Sequence, residues 1–355
     1  MTEALSPSRL AWLRFKQHRL ALAALGVLIA LYVTAIACEF LAPYEPDYRN
    51  SRAINAPPMA LHFTDQAGDW HLRPSIYEYA LTIDPDTWMR QYHEDFRRPH
   101  AVTFFDQQEN GYRFFAVHDG GYIHLFGTDS LGRDVFSRVL YGSRVSLSIG
   151  VIGVFLTLFF GLVLGGFAGY LGGFVDNVVQ RLIEVLQSMP TLPLWMGLSA
   201  ALPVAWSPLA AYFGVTLILS FFGWTTLARQ VRGRFLSLRD EDFVVAARLT
   251  GASNTRIVLK HMVPNFMSHT ITTATLAIPA MILGETALSF LGIGLRPPVV
   301  SWGVLLQQAQ NYQVIVMTPW LLIPGLFIVI TVIAFNLLGD GLRDAADPYH
   351  TGRQP

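Results

Sequence analysis

The chain is short of charge: of its 355 residues only 14% are Asp, Glu, Lys or Arg, where a soluble domain carries about 25%. Lysine is nearly missing, with Lys16 and Lys260 the only two. A phosphate-binding loop of the form Gly, four residues, Gly-Lys-Ser/Thr needs glycine before its lysine. Here Phe15 and Leu259 stand there, so the chain carries no such nucleotide site. The single cysteine, Cys38, excludes an intrachain disulfide and a Cys-rich zinc module. Basic and acidic residues number 25 each and cancel, which removes the basic excess on which nucleic-acid binding draws.

What charge there is avoids four long stretches. Leu20–Cys38, Val145–Val175, Val185–Ala228 and Pro297–Gly339 hold none, over 19, 31, 44 and 43 residues. Crossing the hydrocarbon core takes about 20 residues, so these stretches are membrane-scale. Split at proline- and tryptophan-rich interruptions such as Pro203–Pro208, they predict an all-α membrane protein with six helices, near 20–42, 145–170, 185–203, 210–229, 264–290 and 319–339. Arginine and lysine beside short loops mark the cytoplasmic side. Arg9, Arg14, Lys16 and Arg19 precede the first helix, and Arg229, Arg232, Arg234, Arg239, Arg248, Arg256 and Lys260 crowd the loop 230–263 and its approach. With six helices, the N-terminus (1–19), this loop and the C-terminus (341–355) share the cytoplasm, and 43–144 lies outside. A second reading of the N-terminus is a signal peptide ending Ala35-Ile36-Ala37-Cys38, which Ala35 and the five later spans disfavour.

The outer segment holds ten basic and fourteen acidic residues. Val102–Phe105 and Tyr112–Val117 flank a turn-rich stretch with Asn110-Gly111, a hairpin signal. Trp70, Tyr77, Tyr79, Trp88, Tyr92 and Phe96 offer apolar area for a small subdomain. His62, His71, His93, His100, His118 and His124 sit at spacings that match no compact metal site. The permease core runs over 145–340.

Several side chains invite a functional reading. Asp240, Glu241 and Asp242 open a helical stretch of roughly 241–250 and Gly251 closes it, which suits the helix dipole and a left-handed stop. The stretch is either a solvated connector or a contact element, with Asp242, Phe243, Ala246, Ala247, Arg248 and Gly251 its candidate contacts. Gly161, Gly165, Gly169 and Gly173 repeat every four residues, a small face for close helix packing or a pore lining. Asp176, Arg181 and Glu184 are spaced to pair along one helix. Glu285, near the outer end of the fifth helix, is a carboxylate at membrane depth, with a gating or substrate-path role open beside structural hydrogen bonding.

The loop resembles the cytoplasmic signature of ATP-binding-cassette importer permeases, Glu-Ala-Ala, three residues, Gly, nine residues, Ile-x-Leu-Pro. Ala246, Ala247, Gly251 and Pro264 fit its register, while Val245, His261 and Val263 replace the Glu, Ile and Leu. Arg14–Leu28, Leu41–Pro46, Gly127–Arg144, Leu288–Gly303 and Phe335–Pro348 are similar, in order, to blocks of the dipeptide/oligopeptide/nickel permease family, C-type subunit. The resemblance covers about 20–47 and 124–348 and leaves an insertion at 48–123. It implies a type I importer transmembrane domain with a long extracytoplasmic loop between helices one and two, in a bacterial inner membrane. It implies a chain that is not itself catalytic and binds no cofactor. Its partners would be a second homologous permease, two cytoplasmic ATPase subunits that use ATP and Mg, an extracytoplasmic solute-binding protein and membrane lipid, with no nucleic acid. Peptides or peptide-like solutes are the implied cargo, with nickel and opines within the family's range. An ion-coupled transporter or channel, or a membrane-anchored ligand receptor, are the rival classes.

Overall fold

The computed structural model describes residues 7–64, 69–85, 90–108 and 111–346. Trp88, Asn110, Asp347 and Pro348 lie outside the described residues. A short helix α1 (Pro7–Gln17) leads into α2 (Arg19–Ile36), whose first turn is capped by His18, and a single turn α3 (Cys38–Leu41) ends the first apolar run.

The fold is mostly helical, with one departure from all-α in the outer insertion. There β1 (His62–Thr64), β2 (Trp70–Ile83), β3 (Arg90–Gln108) and β4 (Gly111–Val117) pair antiparallel in the order β1-β2-β3-β4. The hairpin expected at 102–117 is β3–β4, with Phe104 opposite Phe115 and Gln107 opposite Tyr112. Ile76, Val102, Phe115, Tyr122 and Ile123 form the sheet's own buried core with Ala53, Ala56 and Met59. Tyr77 is buried in this subdomain, whereas Trp70 and Phe96 stay exposed.

After the insertion comes α4 (Val135–Leu171), 37 residues and about 55 Å long at 1.5 Å per residue. It starts ten residues before the expected boundary because Asp134 caps it, accepting from the Ser137 amide at 2.7 Å, and because Arg138 and Arg144, which lie on it, find partners in Asp129 and Glu39. Gly172 and Gly173, with φ of +67° and +55°, turn the chain into α5 (Gly173–Gln187). Then follow α6 (Thr191–Ala200), α7 (Pro208–Leu238), α8 (Asp242–Leu249), a turn α9 (Asn254–Arg256) and a π-helical stretch Ile257–Met262 that runs into α10 (Val263–Phe290). After α11 (Trp302–Leu306), α12 (Tyr312–Met317) and two 3₁₀ turns, α13 (Ile323–Ala346) completes the described chain.

Five helices among the described residues are long and apolar enough to cross a membrane: Arg19–Ile36, Val135–Leu171, Pro208–Leu238, His269–Phe290 and Pro319–Ala345. The expected third span, 185–203, is not one helix. Pro190 has no amide hydrogen to donate and Pro193 follows within a turn, so α5 and α6 are separate pieces. Asp176, at the start of α5, grips Arg232 near the end of α7, whereas Leu202 and Trp206, just after α6, pack against Gly214 near the start of α7. The broken pair therefore runs the length of α7.

Candidate functional site

The glycine repeat sorts into two groups. A Cβ on Gly161 would sit 2.7 Å from Leu227, and one on Gly169 2.7 Å from the Arg232 carbonyl. One on Gly165 would collide with the Ala228 backbone. Gly165 and Gly169 let α4 touch the α7 backbone and Gly161 makes room for the Leu227 side chain, the packing use of a small-residue face. Gly173 does not belong with them: nothing lies within 4 Å of its Cβ position, and its left-handed φ serves the bend into α5.

At the end of α7 the chain turns into α8, where the sequence-predicted contact residues cluster. Val244 is fully buried among Phe235, Leu238, Ile257, Val258 and Met262, so α8 is seated on the end of α7 and on the π-helical stretch. Its close is a Schellman arrangement: the Ala252 amide donates to the Ala247 carbonyl and the Gly251 amide to the Arg248 carbonyl, with Gly251 at φ +78°. The Arg248 guanidinium lies over the Tyr170 ring at 5.6 Å, tying α8 to the end of α4. Away from the seat, Asp242, Phe243, Val245, Ala246 and Leu249 are exposed, with Leu249 83% exposed. Ala247 is half-buried and packs against the same cluster as Val244. Sequence reasoning passed over Val245 and Leu249, although apolar residues between charged ends were the available signal.

The expected ion pairing along α5 holds in part. Arg181 pairs with Glu184 at 2.8 Å on an exposed surface. Asp176 instead accepts two bonds from Arg232 at 2.5 and 2.6 Å, across to α7.

Glu285 is not reached by water; it is 0% exposed near the end of α10. Ser289 and Ser301 hydroxyls each donate to its Oε1 at 2.7 Å, and Oε2 has no hydrogen-bonding partner among the described residues. Each serine also accepts a backbone amide, Ser289 from Leu295 and Ser301 from Val304 at the start of α11. Ser146 of α4 accepts the Trp302 amide at 3.1 Å, and the Trp302 indole donates to the Val139 carbonyl. One carboxyl group thus organises the junction of α10 and α11, against which α4 is pinned.

A second buried cluster, which motif reading did not single out as a site, closes the N-terminal end of α4. Asp129 Oδ2 accepts from Arg133 Nε at 2.8 Å and from Arg138 Nη1 at 2.5 Å, while Oδ1 takes the Leu131 and Arg133 amides. Burial alone would raise this carboxyl, but the Arg138 and Arg133 charges and those amides hold it below the ordinary carboxylate range. Among the outer histidines, His62 faces Glu94, His100 faces Glu78, His118 faces Asp106 and the buried His124 faces Asp134.

Long apolar helices in close glycine-mediated contact, with the small, largely exposed helix α8 seated at the end of α7, define a multi-span membrane protein. Residues 161–349 match the profile of the binding-protein-dependent transport system inner membrane component, and residues 6–58 that of the N-terminal transmembrane domain of oligopeptide transport permease C. The chain belongs to this family of binding-protein-dependent transport permeases. It is 33% identical over 347 residues to the dipeptide transport system permease protein DppC of Bacillus subtilis, covering 97% of this chain and 87% of that one. It is 42% identical over 231 residues to the oligopeptide transport system permease protein OppC of Escherichia coli K12, covering 63% and 72%. A solved inward-facing MetNI methionine transporter chain aligns at a TM-score of 0.45 and 18% identity, over 60% of this chain and 97% of that one.

Proposed function

We propose that this chain is the transmembrane permease subunit of an ATP-driven importer that moves peptides or peptide-like solutes into the cytoplasm. The observation that carries this reading is α8: one side is seated on α7 and the π-helical stretch, and the other offers Phe243, Val245 and Leu249 to a partner. Two cytoplasmic ATPase subunits would dock there and hydrolyse ATP with Mg, since this chain lacks a phosphate-loop lysine. A second homologous permease completes the path, and an extracytoplasmic binding protein delivers the cargo. Both are supported by the permease relatives and the family description.

In this reading the end of α5 and α6 together make the third crossing. The exposed Arg181–Glu184 pair stays at the membrane surface, and the uncharged 19 residues of 185–203 follow it, about 28 Å at helical rise against a hydrocarbon core of about 30 Å. Irregular backbone at the break is tolerated where protein surrounds it. Six crossings then return both termini to the cytoplasm, beside α8. ATP-driven movement of the partner subunits, felt at α8, switches the path between inward- and outward-facing states. Gly251 and Pro264 bound the lever, and Glu285 holds the α10–α11 junction that must move or stay rigid as the path opens. The test is uptake of labelled di- and oligopeptides into vesicles holding the whole complex. ATP-dependent, vanadate-sensitive uptake is expected, and uptake driven by an ion gradient without ATP overturns the proposal.

A further inference from the structure

The outer end of the first span fixes a membrane boundary. The uncharged run Leu20–Cys38 stops at Glu39, and the second uncharged run begins at Val145, just after Arg144. Arg144 bridges the two: it donates to Glu39 Oε1 at 3.0 Å and to the Ala35 and Ile36 carbonyls at 3.3 Å each. This charge pair, sitting on the last carbonyls of the span, marks the headgroup level.

The insertion meets the span at that same level. Arg113 of β4, 6% exposed, donates to the Glu39 carbonyl at 2.6 Å and the Ala42 carbonyl at 3.0 Å. Around this strut stands a cluster of rings. Phe40 of α3 lies 5.7 Å from Phe114 and 6.1 Å from Phe105, and Phe114 lies 5.9 Å from Phe104 and 5.6 Å from Phe105. The outward rings are largely uncovered: Phe104 is 44%, Phe105 64% and Tyr112 60% exposed. Aromatic residues are enriched where a membrane surface meets water, since an apolar ring with polar neighbours suits the headgroup layer. Here the neighbours are polar, with Gln107 opposite Tyr112 and Asp106 paired with His118.

We propose that the β3–β4 hairpin rests on the lipid surface and seats Phe104, Phe105 and Tyr112 in the phospholipid interface, continuing the lipid-facing surface of the first span. The insertion is thereby anchored twice, by Arg113 to the end of the span and by the rings to the bilayer. This placement depends only on the first span crossing the membrane, so it stands apart from the choice of cargo or energy source.

The lone cysteine makes the test direct. In a Cys38→Ala background, Phe105→Cys, Tyr112→Cys and, as a reference, Ile83→Cys are labelled with an environment-sensitive fluorophore. The full chain is then placed in phosphatidylethanolamine/phosphatidylglycerol vesicles. Ile83 is exposed and pairs with Arg90 at the far end of β3, roughly 35 Å along the sheet from Phe104 at about 3.3 Å per residue, with the bulge between Pro99 and Asp95 left out. Lipids carrying a nitroxide near the headgroup are expected to quench the labels at 105 and 112 about threefold or more beyond the label at 83, with iodide quenching in the opposite order. Because 105 and 112 are exposed, their replacement leaves the sheet core intact, and Phe104→Cys serves as a further position if either labelled chain fails to fold. Iodide quenching at 105 and 112 equal to that at 83 overturns the proposal. Shielding from both quenchers, the mark of a protein partner covering the rings, overturns it as well.

Discussion

Replacing Gly251 separates two contributions at the proposed lever. Its φ of +78° is a conformation that L-residues with a Cβ avoid, yet a Cβ there would meet nothing within 4 Å. Gly251→Ala therefore introduces no clash, and its whole effect is backbone strain, about 1–2 kcal/mol. That amounts to a factor of roughly 5–30 in an equilibrium, applied to the local one between a closed α8 and a frayed one. The same strain threatens the Ala252-to-Ala247 and Gly251-to-Arg248 bonds and the seat of Val244. Asparagine tolerates the left-handed region far better, so Gly251→Asn is expected to keep most of the uptake. Gly251→Asp keeps that tolerance but places a carboxylate beside the last carbonyls of α8, where the helix dipole opposes it by about 0.3–1 kcal/mol, and sets a charge in the docking surface. It is expected to abolish transport while the complex stays inserted. The assay is uptake per ATP hydrolysed by the reconstituted complex, with membrane insertion checked in parallel. Full coupling in Gly251→Ala, an equal loss in Gly251→Asn and Gly251→Ala, or normal uptake by Gly251→Asp refutes the reasoning.

The remaining predictions concern the clusters that hold the lever's scaffold. Gly165→Ala, whose Cβ collides with Ala228, should destabilise the purified chain by about 1–3 kcal/mol, whereas Gly197→Ala, with open space around it, should leave the thermal midpoint in place. Glu285→Ala removes the acceptor of two buried hydroxyls and should lower stability by about 2–5 kcal/mol. Glu285→Gln keeps an oxygen for both serines, so a loss of uptake in that variant with stability unchanged would assign Glu285 to gating. Asp129 has a lowered folded pKa, so its stabilisation is complete above its unfolded value of about 3.9 and is lost as pH falls through the lower folded value. The stability advantage of the natural chain over Asp129→Asn should be constant from pH 7 to about 5 and shrink below about 4. An advantage that grows on acidification contradicts the cluster.

Spans were legible wherever the chain met lipid on one side and protein on the other, because uncharged length is what the bilayer demands. The same rule misplaced the start of α4. Arg138 and Arg144 looked like its boundary, but both lie on the helix, one held by Asp129 and the other by carbonyls of α2. The hairpin 102–117 was readable from its apolar strands and turn, whereas β2 and most of β3 were not, since their polar, doubly exposed ends lack the alternation of a half-buried strand. The small helix α8 announced itself through acids at its start and Gly251 at its end. The surroundings of Glu285 were hidden because Ser301 and Ser146 come from other segments. A sequence shows the lone carboxylate but not the hydroxyls that surround it.

The scarcity of charge acquires a mechanical meaning once the partners are known. At the N-terminal end of α4, Arg138 is locked to Asp129, and Trp302 spans from Ser146 to the Val139 carbonyl. At its C-terminal end, Tyr170 carries Arg248 of α8, and Gly165 and Gly169 set α4 directly against the α7 backbone. An unbroken helix of 37 residues that is fastened at both ends transmits a displacement with little loss, because packed interiors deform poorly. α5 and α6, by contrast, are joined through a proline break and tied to α7 by the Asp176–Arg232 pair and the Leu202 contact. On the proposed reading, a push on α8 moves α4 and α7 as one body, and the broken crossing between them is where the path changes shape.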